Sequence, residues 1–224
     1  MPSPHESAPT EAQGSFPFIV ATGCHGVGKS TVAQALSEHF GAATLQFPAE
    51  FIRFRERVGL DTGLGPRAQL LYYLGAAFQI SDGARRHGSD CPVVSDRYVE
   101  SPLALVQAVR AIEPDELDRI CAPLLPRLRA PDLTLLLTAR HEAAVDRIQS
   151  RGEGLSSTQR RSVASPDFYY ACEAALRETS AQLGPMQVLD TTTLSVEAMC
   201  EAAIAAASEV ISDAAGSAGP GAPA

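Results

Sequence analysis

A doubly wound α/β domain on a parallel sheet is the fold this sequence predicts, and three observations predict it. Short apolar runs alternate with segments of helical periodicity from residue 17 to residue 211. The first run, Phe18-Ile19-Val20-Ala21-Thr22, feeds a glycine-rich turn that opens into a helix. A later run, Asp132-Leu133-Thr134-Leu135-Leu136-Leu137-Thr138, is almost continuously apolar, as in a strand covered on both faces.

The elements follow in order. Ser30–Phe40 reads as the first helix and Ala43–Pro48 as the second strand, with a helix expected over Glu50–Val58. Glycines make 59–66 a loop, and Pro66 suits the first position of a helix over Arg67–His87, whose Leu70, Leu71, Leu74 and Phe78 recur on one face. A third strand ends in Asp96-Arg97-Tyr98, and helices are expected over Glu100–Ala111 and Asp115–Arg129. After the strand at 132–138 come a helix carrying Arg147 and Arg151, a polar stretch, and a helix over Pro166–Leu183. Met186–Asp190 is the last strand and Val196–Ile211 the last helix. Five strands separated by helices make a parallel sheet, whose ligands gather at the carboxyl ends of the strands. Residues 1–15 read as a disordered leader and 213–224, rich in Ala, Gly, Pro and Ser, as a disordered tail. One domain over 16–212 remains.

Composition narrows the function. A formal net charge of −8 supplies no sustained basic surface, which argues against a nucleic-acid-coating protein. No apolar run reaches membrane-spanning length, and the first residues lack the form of a secretory signal. The five cysteines are scattered without a C-x-x-C pair, which fits a reducing cytoplasm better than a disulfide framework or a zinc site.

The strongest motif is Gly23-Cys24-His25-Gly26-Val27-Gly28-Lys29-Ser30, which meets every fixed position of the phosphate-loop pattern G-x-x-x-x-G-K-[ST]. A strand feeding such a turn into a helix aims backbone N–H groups at one point, at the positive end of the helix dipole. The expectation is a bound nucleoside triphosphate, held by Gly23, His25, Gly26, Val27, Gly28, Lys29, Ser30 and Thr31. Lys29 would reach the β- and γ-phosphates and the Ser30 hydroxyl would ligate Mg²⁺.

Three further groups bear chemistry. Asp96 can hold a metal-bound water or accept a proton, and Arg97 can grip a phosphoryl group; the alternative is a strand-end salt bridge. Arg147 and Arg151 share one helix face at i and i+4 and can close on phosphates as part of a lid over about 147–165, with Arg160 and Arg161 beyond; the alternative is a solvated arginine face. The aromatics Phe51, Phe54, Tyr72, Tyr73 and Phe78 can sandwich a planar acceptor, with Glu50, Gln69 and Gln79 reading its polar edge, although most helical aromatics are core. His39, His87 and His141 sit at presumed helix ends and read as surface or capping residues.

With these motifs in place the chain resembles the thymidylate kinase and deoxynucleoside kinase group over most of 17–211. The most specific stretches are Cys91-Pro-Val-Val-Ser-Asp-Arg-Tyr-Val-Glu-Ser-Pro-Leu-Ala, Pro131-Asp-Leu-Thr-Leu-Leu-Leu leading to Arg147-Ile-Gln-Ser-Arg151-Gly, and Pro66-Arg-Ala-Gln-Leu-Leu-Tyr-Tyr. The resemblance implies the P-loop nucleoside triphosphate hydrolase fold with strand order 2-3-1-4-5 and a small helical lid. It implies ATP with Mg²⁺ as donor, a nucleoside or nucleoside monophosphate as acceptor, and a homodimer through the helices after Asp96 and Pro66. Tyr73 falls where the family stacks the base, Gln79 lies further along the same helix, and Thr191 lies near the donor adenine.

The departures bear on substrate. Counted from Pro66, the family's acceptor-phosphate arginine is Ala77, the second-strand motif reads Gln46-Phe47-Pro48 without a charge, and a charged phosphate-loop position is His25. Arg53, Arg55 or Arg57 can substitute. A doubly charged phosphate short of partners in a closed site is costly. The expectation is therefore an acceptor uncharged near its reacting atom, such as a nucleoside hydroxyl, or an unusual nucleotide, rather than ordinary dTMP. A kinase of a non-nucleoside metabolite or antibiotic, and a nucleotide-binding regulator that transfers nothing, stay open.

Overall fold

The computed structural model describes residues 16–48, 51, 65–152 and 155–217. Five parallel strands form one sheet in the order β2-β3-β1-β4-β5. They are β1 (Phe18–Gly23), β2 (Ala43–Gln46), β3 (Val93–Asp96), β4 (Leu133–Thr138) and β5 (Met186–Asp190). Central β1 and β4 are buried along their whole length, whereas edge strands β2 and β5 keep exposed residues. Successive β1 side chains go to opposite faces. Ile19 and Ala21 join a core with Val32, Leu36, Ala203 and Ala207, while Phe18 and Val20 join one with Leu70, Leu74 and Leu103. Helices α1 (Lys29–Phe40) and α8 (Val196–Ser217) thus cover one face, and α2 (Pro66–His87) and α3 (Glu100–Ala108) the other. The register sets the carboxyl ends level: Asp96 lies opposite Ala21 on one side and Gln46 on the other.

Several boundaries differ from expectation. The helix expected over Asp115–Arg129 is α4 (Pro114–Cys121) followed by a 3₁₀ turn at Leu125–Arg127, because Pro123 and Pro126 cannot continue an α-helix. The expected polar stretch after α5 (His141–Ser150) contains a helix, α6 (Ser157–Ala164). Ser156 starts it with a reciprocal capping box to Gln159. Helix α7 (Pro166–Leu183) matches its expected span, and α8 runs to Ser217, past residue 213 where a tail was expected. Most of the helix expected over Glu50–Val58, Glu50 and Phe54 included, lies outside the described residues. No helix among the described residues is long and apolar enough to cross a membrane.

Candidate active site

The phosphate loop leaves β1 through backbone that only glycine adopts easily. Gly26 has φ +83°, and a Cβ there would stand 2.4 Å from the Ala144 carbonyl oxygen on α5. At Gly23 (φ +144°) a Cβ would meet the Leu137 carbonyl at 2.2 Å. The loop is therefore threaded against β4 and α5 at backbone contact. Val27 is fully buried, so any donor contact it makes is through its backbone. Gly28 caps α1 in the left-handed region with no side-chain hydrogen bond, leaving the first helical N–H groups available to an anion.

Lys29, at the first turn of α1, is buried and donates from Nζ to the Cys24 carbonyl at 2.6 Å. Burial first, and then the Arg97 charge, push it down to about 7. A buried amine held beside another cation is restored to full charge by a bound polyphosphate.

Ser30 and Asp96 meet at the mouth of the loop, Ser30 Oγ donating to Asp96 Oδ2 at 2.5 Å. Asp96 Oδ1 is buried without a hydrogen-bond partner. A hydroxyl oxygen beside an unsatisfied carboxylate oxygen suits a hard cation that keeps several waters, so these residues fit Mg²⁺. Thr31 follows, half-buried on α1.

Arg97 has φ +74°, a left-handed conformation unusual for arginine. Its N–H donates to the Ala21 carbonyl at 3.0 Å and its carbonyl accepts from Ser95 Oγ at 2.6 Å. The guanidinium Nη1 stands 3.4 Å from both the Gly23 carbonyl and Ser101 Oγ. Sterically costly backbone of this kind concentrates at functional sites.

Beyond Arg97 a cleft of about 310 Å³ opens. One wall is aromatic: Phe47 packs edge-on to Tyr73 (5.9 Å between centroids), Tyr73 to Tyr72 (5.4 Å), and Tyr72 meets Phe51 (5.1 Å). The Tyr72 hydroxyl donates to the Phe51 carbonyl. Leu105, Cys172 and Leu176 also line it, as do Ser156, Thr158 and Ser162 of α6 and its cap. Gly23, Cys24, His25, Asp96 and Arg97 line its phosphate-loop end.

The expected acceptor residues divide. Phe51, Tyr72, Tyr73 and Arg97 line the cleft, and Gln69 and Gln79 do not. Phe78 packs against the core on the α2 side of the sheet. Ala77 is fully buried in that core, one helical turn beyond Tyr73, and adds no charge to the cleft. Arg53, Arg55 and Arg57 lie outside the described residues.

The lid arginines also divide, and Arg147 does not pair with Arg151. Its Nη2 donates to the Thr191 carbonyl at 2.5 Å and its Nη1 to Thr191 Oγ1 at 3.1 Å, with the Gly26 and Thr192 carbonyls at 3.5 and 3.4 Å. It clamps the loop after β5 to α5, and reaches the phosphate loop chiefly through Thr191. Thr191 belongs to the same clamp: it is fully buried, and its hydroxyl lies 3.1 and 3.0 Å from the Val27 and Thr138 carbonyls. Its side chain is therefore turned to the protein's own carbonyls. Arg151 is exposed at the end of α5, near enough for its charge to bear on Lys29. Arg160 donates to the Leu155 carbonyl at 2.6 Å, and Arg161 stacks 4.2 Å over the Phe168 ring.

Two residues escaped the sequence reading. His141 is buried, not superficial: it packs on Tyr169, and its Nε2 donates to the Ser162 carbonyl at 2.8 Å, tying α5 to the lid helix. Glu100 is a buried carboxylate beside the Asp96–Arg97 turn, raised from its ordinary value chiefly by burial. An acidic residue in the first turn of a helix, three positions after Arg97, was the available signal.

The comparisons with known proteins agree with this architecture. The family model described as thymidylate kinase matches residues 22–202. A thymidylate kinase of Cutibacterium acnes is 33% identical over 157 residues, covering 61% of this chain and 75% of the relative. Two solved structures share the fold at low identity. Deoxyadenosine kinase from M. mycoides with bound dATP has a TM-score of 0.64 at 18% identity, covering 85% of this chain and 98% of that one. Thymidylate kinase from Candida albicans has 0.66 at 19%, covering 88% and 92%. A phosphate loop on β1, an Asp-Arg pair on the neighbouring strand and a family match across most of the domain lead to one conclusion: the chain belongs to the thymidylate kinase family and is a nucleoside or nucleotide kinase.

Proposed function

We propose that this protein transfers the γ-phosphoryl group of ATP to a nucleoside or nucleotide seated in the aromatic-walled cleft, and that it favours an acceptor uncharged at the reacting atom, such as a nucleoside hydroxyl. The observation that carries the preference is the charge of the cleft. Among its described lining residues Arg97 is the single lysine or arginine, and Asp96 stands beside it. The α6 side offers Ser156, Thr158 and Ser162, which are hydrogen-bonding groups and not countercharges. A dianionic acceptor phosphate desolvated there would find Arg97 as its one countercharge among the described lining residues.

In this reading the phosphate-loop amides and Lys29 hold the donor phosphates, and Tyr73, Phe51 and Tyr72 enclose the acceptor's planar part. Asp96 accepts the proton of the attacking hydroxyl, and Arg97 bridges acceptor and transferring group. Ser30 and Asp96 would hold Mg²⁺, which when bound neutralises charge on the donor phosphates. Arg151 closes toward the phosphates with the lid, while Arg147 keeps the donor side of the loop in shape. The family reading also carries a homodimer through α2 and α3, which a molecular-mass measurement in solution checks.

Acceptor-dependent ADP release from Mg-ATP tests the reading. It should appear with nucleosides and fall by about 10³-fold or more in Lys29→Met and Arg97→Met, both still folded. ATP binding without release across nucleosides and nucleotides would refute it.

A further inference from the structure

We infer that Glu100 is a positioning residue that holds Arg97 in its left-handed turn and so aims the guanidinium across the cleft. The inference rests on the phosphoryl-handling role of Arg97 proposed above.

One peptide plane links Glu100 to Arg97. The Arg97 carbonyl and the Tyr98 N–H belong to the same rigid unit, and its rotation sets the Arg97 ψ angle. Ser95 Oγ grips the carbonyl edge at 2.6 Å, and Glu100 Oε1 accepts the Tyr98 N–H at 3.0 Å. The plane is thus held from both sides, while the Arg97 N–H is fixed to Ala21 at 3.0 Å. A left-handed non-glycine residue persists only where its surroundings over-determine it. A second link runs through the side chain: Ser101 Oγ donates to Glu100 Oε1 at 3.1 Å and stands 3.4 Å from Arg97 Nη1.

A carboxylate is a costly means of building an ordinary helix start. Glu100 is 1% exposed, and no described cation forms a salt bridge with it. Beside it lies the buried Thr22 hydroxyl, on the residue that precedes the phosphate loop, and its hydrogen bonding to the carboxyl group favours the ionised form. A buried acid held by hydrogen bonds alone, with no cation beside it, costs stability. It stands between the end of β1 and the Arg97 turn, where its carboxylate can hold that turn.

The test compares Glu100→Gln, which keeps an oxygen acceptor for the Tyr98 N–H, with Glu100→Ala, which removes it. The readouts are kcat, acceptor KM and the ATP dissociation constant, together with exchange of the Tyr98 amide hydrogen. Glu100→Gln should stay within about threefold of wild-type kcat. Glu100→Ala should lose about 10- to 100-fold in kcat, with ATP binding within twofold. In that background Arg97→Lys should add little further loss, because both changes act on one guanidinium. The Tyr98 amide should exchange much faster in Glu100→Ala alone, a readout that needs no acceptor. Wild-type turnover in the same assay tests the kinase reading separately.

If Glu100→Ala does not fold, Ser95→Ala frees the other edge of the same plane. It should lower kcat about tenfold without weakening ATP binding. An unchanged kcat and amide exchange rate, a loss shared equally by ATP binding, or independent, multiplying effects of Glu100→Ala and Arg97→Lys would overturn the proposal.

Discussion

Replacing Arg147 with leucine should destabilise the ligand-free protein, because the side chain is bonded to the protein's own loops. Two of its contacts are short, to the Thr191 carbonyl at 2.5 Å and Thr191 Oγ1 at 3.1 Å. Those to Thr192 and Gly26, at 3.4 and 3.5 Å, are too long to count for much. A hydrogen bond from a charged donor contributes about 1.5–3 kcal/mol, and at a half-buried site the lower end applies. Two such bonds give a loss of about 3 kcal/mol. For a domain of this size each kcal/mol moves Tm by about 2–4 °C, so a fall of about 6–12 °C is expected. Arg147→Lys, with one ammonium in place of the planar fork, should show about half of that loss. The assay is thermal unfolding by circular dichroism without nucleotide. A Tm unchanged within about one degree, with only the stabilisation by ATP reduced, would refute the clamp and return Arg147 to a phosphate-gripping role.

The remaining predictions concern the loop and the cleft. Because Lys29 is pushed down to about 7 and donor phosphates restore its proton, ATP affinity should fall up to about tenfold per pH unit above pH 7. Calorimetry in buffers of different ionisation enthalpy should show proton uptake on binding at pH 8, and its absence would deny the depressed Lys29. The sign for folding is opposite to that of a stabilised lysine. The unfolded chain, at the ordinary 10.5, holds a proton the native state has released, so ligand-free stability from this group rises from about pH 7 to 10.5. Gly26→Ala combines a left-handed φ of +83° with a 2.4 Å approach to helix backbone, and should lower stability by about 2–4 kcal/mol in urea titrations. Tyr73→Ala should raise acceptor KM by about tenfold or more and leave ATP binding unchanged.

The sequence made the fold and the donor side legible because both rest on local rules. A phosphate loop is a contiguous string, and buried parallel strands are contiguous apolar runs. What needed the structure was direction. The spacing of Arg147 and Arg151 places them on one face, but not where each guanidinium ends; Arg147 finds backbone carbonyls within reach and turns to them. Counting from Pro66 located position 77 without showing that it points into the core. Gln69 and Gln79 lie on the right helix yet outside the cleft wall, whereas Tyr72 and Tyr73 face it. Glu100 and His141 were missed for one reason: polar residues read as exposed until tertiary packing buries them, and that packing comes from partners as far as 79 and 29 residues away in sequence.

The most direct test of the central claim is the ratio of kcat/KM for a nucleoside to that for its 5′-monophosphate, measured as ADP release from Mg-ATP across the common bases. A cleft with Arg97 as its single described lysine or arginine predicts a ratio above about ten for the preferred base. A ratio below one, with dTMP the best acceptor, would contradict the account and show that the acceptor phosphate finds its cations elsewhere in the chain.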